Sequence, residues 1–330
     1  MLSAPPHESD GLFETDMVGK LRLDEAGTRG ARRIARHQVG VALDILGRKT
    51  PTDRSVHAAR KELKKARATL RLVRDTLGTS VYKKENAALR GAARPLSELR
   101  DGQVLLDTLS SLIKLGGAAV SRLPIGRFER VLKRGRKEAR ESILKRPEPL
   151  KKVCKILRAV RSRSEYWHVG RHGWSVLGPG LERTYSLGRR AFAQARARRS
   201  DECLHEWRKQ IQYFWHQLRI FEPLGAGPLA NLVEETHQLA DCLGNDHDLA
   251  VLRARAAGAR EVFPSAAAHR GLIALIERCR TGLQTQAFEL GRRVYDEKPA
   301  ALTARLGRQW QHWRHCLPAA HESAERKIAS

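Results

Sequence analysis

Val56-His57-Ala58-Ala59-Arg60-Lys61 is answered, 148 positions on, by Leu204-His205-Glu206-Trp207-Arg208-Lys209. Walking about 100° per residue from His57, as 3.6 residues per turn require, brings Arg60, Lys61, Lys64 and Arg71 within about 60° of it. Arg67 sits at the border, and Ala59, Leu63, Ala66, Leu70, Val73 and Leu77 gather on the far side. The same walk from His205 collects Arg208, Lys209, His216 and Arg219, with Gln212 where Lys64 stood. Trp207, Ile211, Phe214, Leu218 and Phe221 take the apolar positions of that second wheel. One apolar and one cationic flank at this period predict a helix, twice. Pro51-Thr52-Asp53 and Ser200-Asp201-Glu202 offer caps or first-turn acids for the two starts.

Outward from these helices the pattern persists. From about Gly27 nearly every segment between Gly or Pro breaks carries apolar residues at three- and four-residue spacing, and no alternating strand-like stretch of useful length appears. The fold class is all-α. A second pair of segments, Leu99-Arg100-Asp101-Gly102-Gln103-Val104-Leu105 and Gly244-Asn245-Asp246-His247-Asp248-Leu249-Ala250, repeats at an offset of 145. Two matched motifs in one order at nearly one offset predict an internal duplication. The halves run over about 26–169 and 174–317, divided by the Gly-rich stretch 170–180, and Gly116-Gly117 reads as a further break. Residues 1–25, acidic and without helical period, read as a flexible tail, and 318–330 as a C-terminal tail.

Sixty-two Lys and Arg against 36 Asp and Glu give a formal charge of +26. A compact body with that excess repels itself unless an anion neutralises it, which points to nucleic acid, an anionic surface or an inorganic polyanion. Hydrophobic residues at 41% suffice for a helical core and argue against a disordered basic chain. The five cysteines (Cys154, Cys203, Cys242, Cys279, Cys316) are scattered, without CxxC or Cys/His ligand spacing, and read as reduced thiols. No signal-peptide pattern opens the chain, and the most apolar run, 105–120, is interrupted by Asp107 and Lys114. A cytoplasmic protein without a membrane partner is expected.

Each histidine helix therefore presents a cationic row about 20 Å long. Like charges three or four residues apart cost a helix a few tenths of a kcal/mol per pair, so stacking four or five on one face, twice, implies a compensating anion. Arg suits phosphate through its planar fork, Lys as a mobile point charge, and His as a donor. Arg32 and Arg36 before the first helix, Arg189 and Arg190 before the second, and Arg136 and Arg140 later in the first half join the candidate set.

At these residues the chain resembles the CHAD (conserved histidine α-helical domain) family. The resemblance rests on His57-Ala58-Ala59-Arg60-Lys61 with Lys64 and Arg67, on His205-Glu206-Trp207-Arg208-Lys209, on Leu181-Glu182-Arg183-Thr184-Tyr185 through Gly188-Arg189-Arg190-Ala191, on the 243–249 segment, and on Glu297-Lys298-Pro299. It covers roughly 26–317. It implies two four-helix-bundle-like halves related by a pseudo-twofold axis. Their basic faces would hold inorganic polyphosphate in a central cleft, with association with polyphosphate granules. Carried over, His57, Arg60, Lys64, Arg67, His205, Arg208 and Lys209 become the ligand-facing set, joined by Lys61, Arg71 and Arg219 of the same faces. Gln212 departs from the usual basic residue, and Gln103 stands where an acid is common. Many members also carry a triphosphate-tunnel domain; residues 1–25 are too short for one, so a stand-alone domain is expected.

Catalytic chemistry is not expected. No Walker-type loop, HExxH, Gly-x-Ser-x-Gly or paired-carboxylate pattern is present. Asp241, Asp246, His247 and Asp248 have the residue types of a Mg²⁺ site, but a helix-start or interhelical salt-bridge role is simpler, and no metal or cofactor is assigned. Trp207 and Trp215 fall on or near the apolar stripe and read as core. The competing readings are a nucleic-acid binder, for which the charge is an ordinary recommendation, and a phosphoryl-transfer enzyme working through a phosphohistidine.

Overall fold

The computed structural model describes residues 19–22, 25, 27–48, 52–121, 124–144, 147–167, 173–225 and 227–315. Every regular element among them is helical. Ten long helices follow in order: α1 Gly27–Leu46, α2 Asp53–Leu72, α3 Thr79–Ser121, α4 Gly126–Leu144, α5 Pro147–Arg163, α6 Trp174–Arg198, α7 Asp201–Ile220, α8 Pro228–Ala257, α9 Ala266–Val294 and α10 Pro299–His315. The all-α expectation is met.

The starts of α2 and α7 follow from their caps. The Thr52 hydroxyl accepts from the Ser55 amide (3.1 Å) while Ser55 Oγ accepts from the Thr52 amide (2.7 Å), a reciprocal box that satisfies two end donors. Ser200 Oγ accepts from the Cys203 amide at 3.3 Å. Both helices are 20 residues long, and both of their ends repeat at the 148-residue offset.

In the first half α1, α2, α3 and α5 close a four-helix ring, each packed on the next, with α4 laid along α3. In the second, α6 packs on α7 and α10, α7 on α8, and α8 on α9. The halves then lock together, α2 against α6 and α7, α3 against α8. Neither keeps a private core. The larger core joins Leu63, Leu70 and Leu89 to Trp207, Phe214 and Trp310, all essentially inaccessible. The smaller one joins Leu109 and Phe128 to Leu252 and Ile276. The contacts are intermingled to a degree that sequence halves do not convey.

Three sequence expectations change here. The stretch 178–180, read as part of a divider, lies inside α6, and the break falls before it, at Gly173 with φ +83°. Its glycines serve close packing rather than a turn. A β-carbon on Gly178 would stand 2.7 Å from the Trp174 indole nitrogen, and one on Gly180 only 1.9 Å from the Leu72 carbonyl oxygen. Gly116 and Gly117 likewise lie within α3. The third change concerns the end of the acidic N-terminal segment. Leu21 is buried, and its amide donates to the Ile220 carbonyl at 3.1 Å. Residues 1–18, 170–172 and 318–330 fall outside the described residues.

The four described cysteines, Cys154, Cys203, Cys242 and Cys279, are free thiols. Among the described residues no helix is long and apolar enough to cross a membrane.

Candidate functional site

Helices α2 and α7 meet near their C-terminal thirds, where Gln217 Nε2 donates to the Ala68 carbonyl at 3.0 Å and both residues are fully buried. Ala68 lies in the middle of the cationic stripe of α2, and its small side chain is what lets α7 cross there. The crossing divides the stripe. Arg60, Lys64, Arg67 and Arg71 remain on the flank toward α3, whereas Lys61 and Lys65 turn to the α1 side and line a groove with His216 and Arg219.

The flank toward α3 holds its cations in an unusual way. Arg67 Nε donates to Asn86 Oδ1 at 3.2 Å, and its guanidinium lies 5.6 Å from the Tyr213 ring centroid. Arg71 donates to the Tyr82 hydroxyl and stacks over Tyr213 at 4.1 Å. Arg74 lies over Tyr82 at 4.8 Å. Rings and an amide thus position three guanidiniums, and among the described residues none of the three pairs with a carboxylate. Burial pulls the Arg67 pKa down, and neighbouring Arg71 and Arg90 act in the same direction. An anion placed there would meet positive charge that is already oriented and partly desolvated, where electrostatic attraction is strong. Arg74, Tyr82, Asn86 and Tyr213 escaped the sequence reading. The available signal was Tyr213, an aromatic at the wheel position that Lys65 holds in the first half.

The histidines stand at the far ends of these faces. His57 lines a cavity of about 1090 Å³ with Gln103, Asp107, Asn245 and Asp248. His205 is absent from that cavity; its ring lies 4.8 Å from that of His247. Asn245 and Asp248 of that cavity and the His247 beside His205 belong to one short stretch of α8. The His205 pKa is lowered, first by burial and then by Arg208 and Lys209.

Several predicted ligand residues are engaged with the protein itself. Arg136 Nη2 donates to Asp53 Oδ2 at 2.7 Å, and Arg140 lies 3.8 Å from the same carboxylate. Together they clamp the first turn of α2 to α4 and do not face the cluster. The second half repeats the device: Arg280 and Arg253 reach Asp201 at 2.6 and 2.5 Å. Lys209 pairs with Glu206 on its own helix, and Arg219 with Glu222 at 3.2 Å. Arg36 meets Glu165 at 2.5 Å, and Arg32 donates to the Glu165 backbone carbonyl at 3.1 Å, both on the outer side of α1. Arg189, half-buried beside Tyr185, and exposed Arg190 sit on α6.

The acidic segment of α8 has a structural use. Asp246 is buried and accepts from Arg280 Nε (3.0 Å) and Gln284 Nε2 (2.8 Å), while Asp241 lies 3.5 Å from His237. Against the cost of burial, the bonds from Asp246 and Asp201 raise the Arg280 pKa. Among the described residues no three His, Cys, Asp or Glu side chains converge as a metal-binding group.

A model of the CHAD domain matches residues 25–257, from the start of α1 to the end of α8. The chain belongs to the CHAD domain family. Among solved structures, PptA from Streptomyces chartreusis superposes with a TM-score of 0.59 at 15% identity, over 83% of this chain and 100% of that one. The crystal structure of the CHAD domain from the plant Ricinus communis gives 0.49 at 14% identity, over 87% and 93%. At such identities the likeness to PptA is one of fold. No curated protein sequence matches. In this CHAD domain the histidine helices that carry the family resemblance are also the two that cross at Ala68 and Gln217.

Proposed function

We propose that this CHAD protein binds inorganic polyphosphate along the cationic flanks of α2 and α7, without turning it over. The observation that carries the proposal is the cluster of Arg67, Arg71 and Arg74, fixed by Tyr82, Tyr213 and Asn86 instead of carboxylates. Arg60 and Lys64 continue the same flank, and Arg208 is their half-buried counterpart on α7. A linear chain of phosphates suits such a row because each residue offers charge without needing a shaped pocket. The family resemblance of the two His-x-x-Arg-Lys helices supports the same reading, and residence at polyphosphate granules is part of the proposal.

Nucleic acid is the second reading, and the aromatic residues speak against it. Trp207 is inaccessible and packed on Phe192 and Phe288. Trp215 is stacked on His237 at 4.6 Å with Arg219 nearby at 5.7 Å. Neither tryptophan offers a bare ring for base stacking of the kind single-strand binders use.

A competition titration decides between them. Labelled long-chain polyphosphate bound to the protein should resist displacement by duplex or single-stranded nucleic acid at equal phosphate concentration, and no orthophosphate should accumulate with or without Mg²⁺. Ready displacement favours nucleic acid, and repeated release of orthophosphate an enzyme. The same titration carries a pH signature. A polyanion beside His205 opposes the lowering of its pKa, so binding takes up protons and tightens as pH falls through the histidine range. A His205→Gln variant should flatten that dependence.

A further inference from the structure

The cations that the α2–α7 cluster does not use are gathered elsewhere. Arg29, Arg32, Arg33 and Arg36 share one face of α1, and Arg161 of α5 lies across that face over Gly40. Its Cζ is 3.7 Å from where a β-carbon on Gly40 would sit. These residues and His37 line a cavity of about 630 Å³. His37 and Val41 also line the neighbouring groove, of about 530 Å³, whose opposite wall is Lys61, Lys65, His216 and Arg219. One furrow therefore runs from the α2–α7 crossing around α1 to α5.

Acids neutralise part of it. Glu25 takes Arg33, Glu165 takes Arg36, Glu62 takes Lys65, and Glu222 takes Lys20 and Arg219. Arg29, Lys61 and Arg161 are left, and among the described residues none of the three has a carboxylate partner. Among the described residues Arg32 has only a backbone carbonyl. Residues 29–41 of α1 span about 18 Å, with cations about one helical turn apart. That spacing suits an anion whose charge repeats along its length better than a compact phosphate ester.

We propose that this furrow is an outer arm of the anion path, taking the continuing chain of a condensed phosphate long enough to leave the α2–α7 cluster. The proposal rests on the polyphosphate reading above. It makes the protein selective for chain length: a short oligophosphate occupies the inner cluster alone, and a long chain engages both surfaces at once, gaining from the second as a tethered contact.

The test uses the full chain with two probes, tripolyphosphate and long-chain polyphosphate, and compares the wild type with an Arg29→Glu/Arg161→Glu variant. Both residues are exposed, so the fold should survive; an Arg29→Gln/Arg161→Gln variant serves if it does not. The ratio of long-chain to tripolyphosphate affinity should fall by about tenfold or more. An unchanged ratio overturns the outer arm and leaves the inner site standing. An Arg67→Gln/Arg71→Gln variant should weaken both probes; if it weakens neither, the inner site falls, whatever Arg29 and Arg161 do.

Discussion

Replacing Arg67 and Arg71 together by glutamine is expected to weaken polyphosphate binding by about a hundredfold or more, with little loss of stability. Each guanidinium–phosphate contact is a charge-assisted hydrogen bond of roughly 1.5–3 kcal/mol, so losing two costs about 3–6 kcal/mol, at about 1.4 kcal/mol per factor of ten. Stability responds differently. Burial of the charged Arg67 opposes folding, and its removal trades that cost against its bond to Asn86 and its contact with Tyr213. Arg71 forfeits its stacking on Tyr213, roughly 0.5–2 kcal/mol, and the two changes largely offset. Arg136→Gln/Arg140→Gln is the matched control. It also removes two positive charges, but from the clamp on Asp53, so it should lower the urea midpoint and hardly alter binding. Fluorescence anisotropy for binding and urea melts for stability read both outcomes. Equal losses of affinity in the two variants would mean that only net charge counts.

Gly180→Ala should destabilise the protein by about 3 kcal/mol, near the upper end of what overpacking costs. The added carbon would lie 1.9 Å from the Leu72 carbonyl oxygen and 2.5 Å from its carbon, both backbone atoms that cannot rotate away. Helix α6 must then part from the end of α2. For a chain of 330 residues, such a loss lowers the melting temperature by roughly 4–5 °C. Arg71 stands one residue from that contact, so polyphosphate affinity should drop as well. Gly244→Ala offers the contrast. A β-carbon there meets nothing within 4 Å in the interior of α8, and the substitution should be neutral or stabilising by up to about 1 kcal/mol. Similar melting temperatures for the two variants would refute the packing role given to Gly180.

Much of the fold was legible in residues that obey local rules. Thr52 and Ser200 announced the starts of α2 and α7, and the 3.6-residue period of Leu63, Ala66 and Leu70 announced the buried flank. Gly178, Pro179 and Gly180 misled because their composition suits a turn, while the feature that keeps them helical is a neighbour: the Trp174 ring and the Leu72 backbone lie too close for side chains. The candidate site was legible as a stripe but not as a surface. A helical wheel shows which residues share a flank and is silent about what packs there. Thus Arg136 and Arg140 joined the candidate set although both lie on Asp53, and nothing in the wheel marks Ala68 as the place where α7 crosses. Tyr82 and Asn86 come from α3, and no periodicity within α2 points to them.

The measurement that bears most directly on the account is a crystal structure of the protein with polyphosphate bound. Phosphate density should run along Arg60, Lys64, Arg67 and Arg71 of α2 toward Arg208 of α7, with Tyr82 and Tyr213 still holding the guanidiniums. Phosphates bound elsewhere, with no density along those four side chains and Arg67 and Arg71 still on their tyrosines, would contradict it.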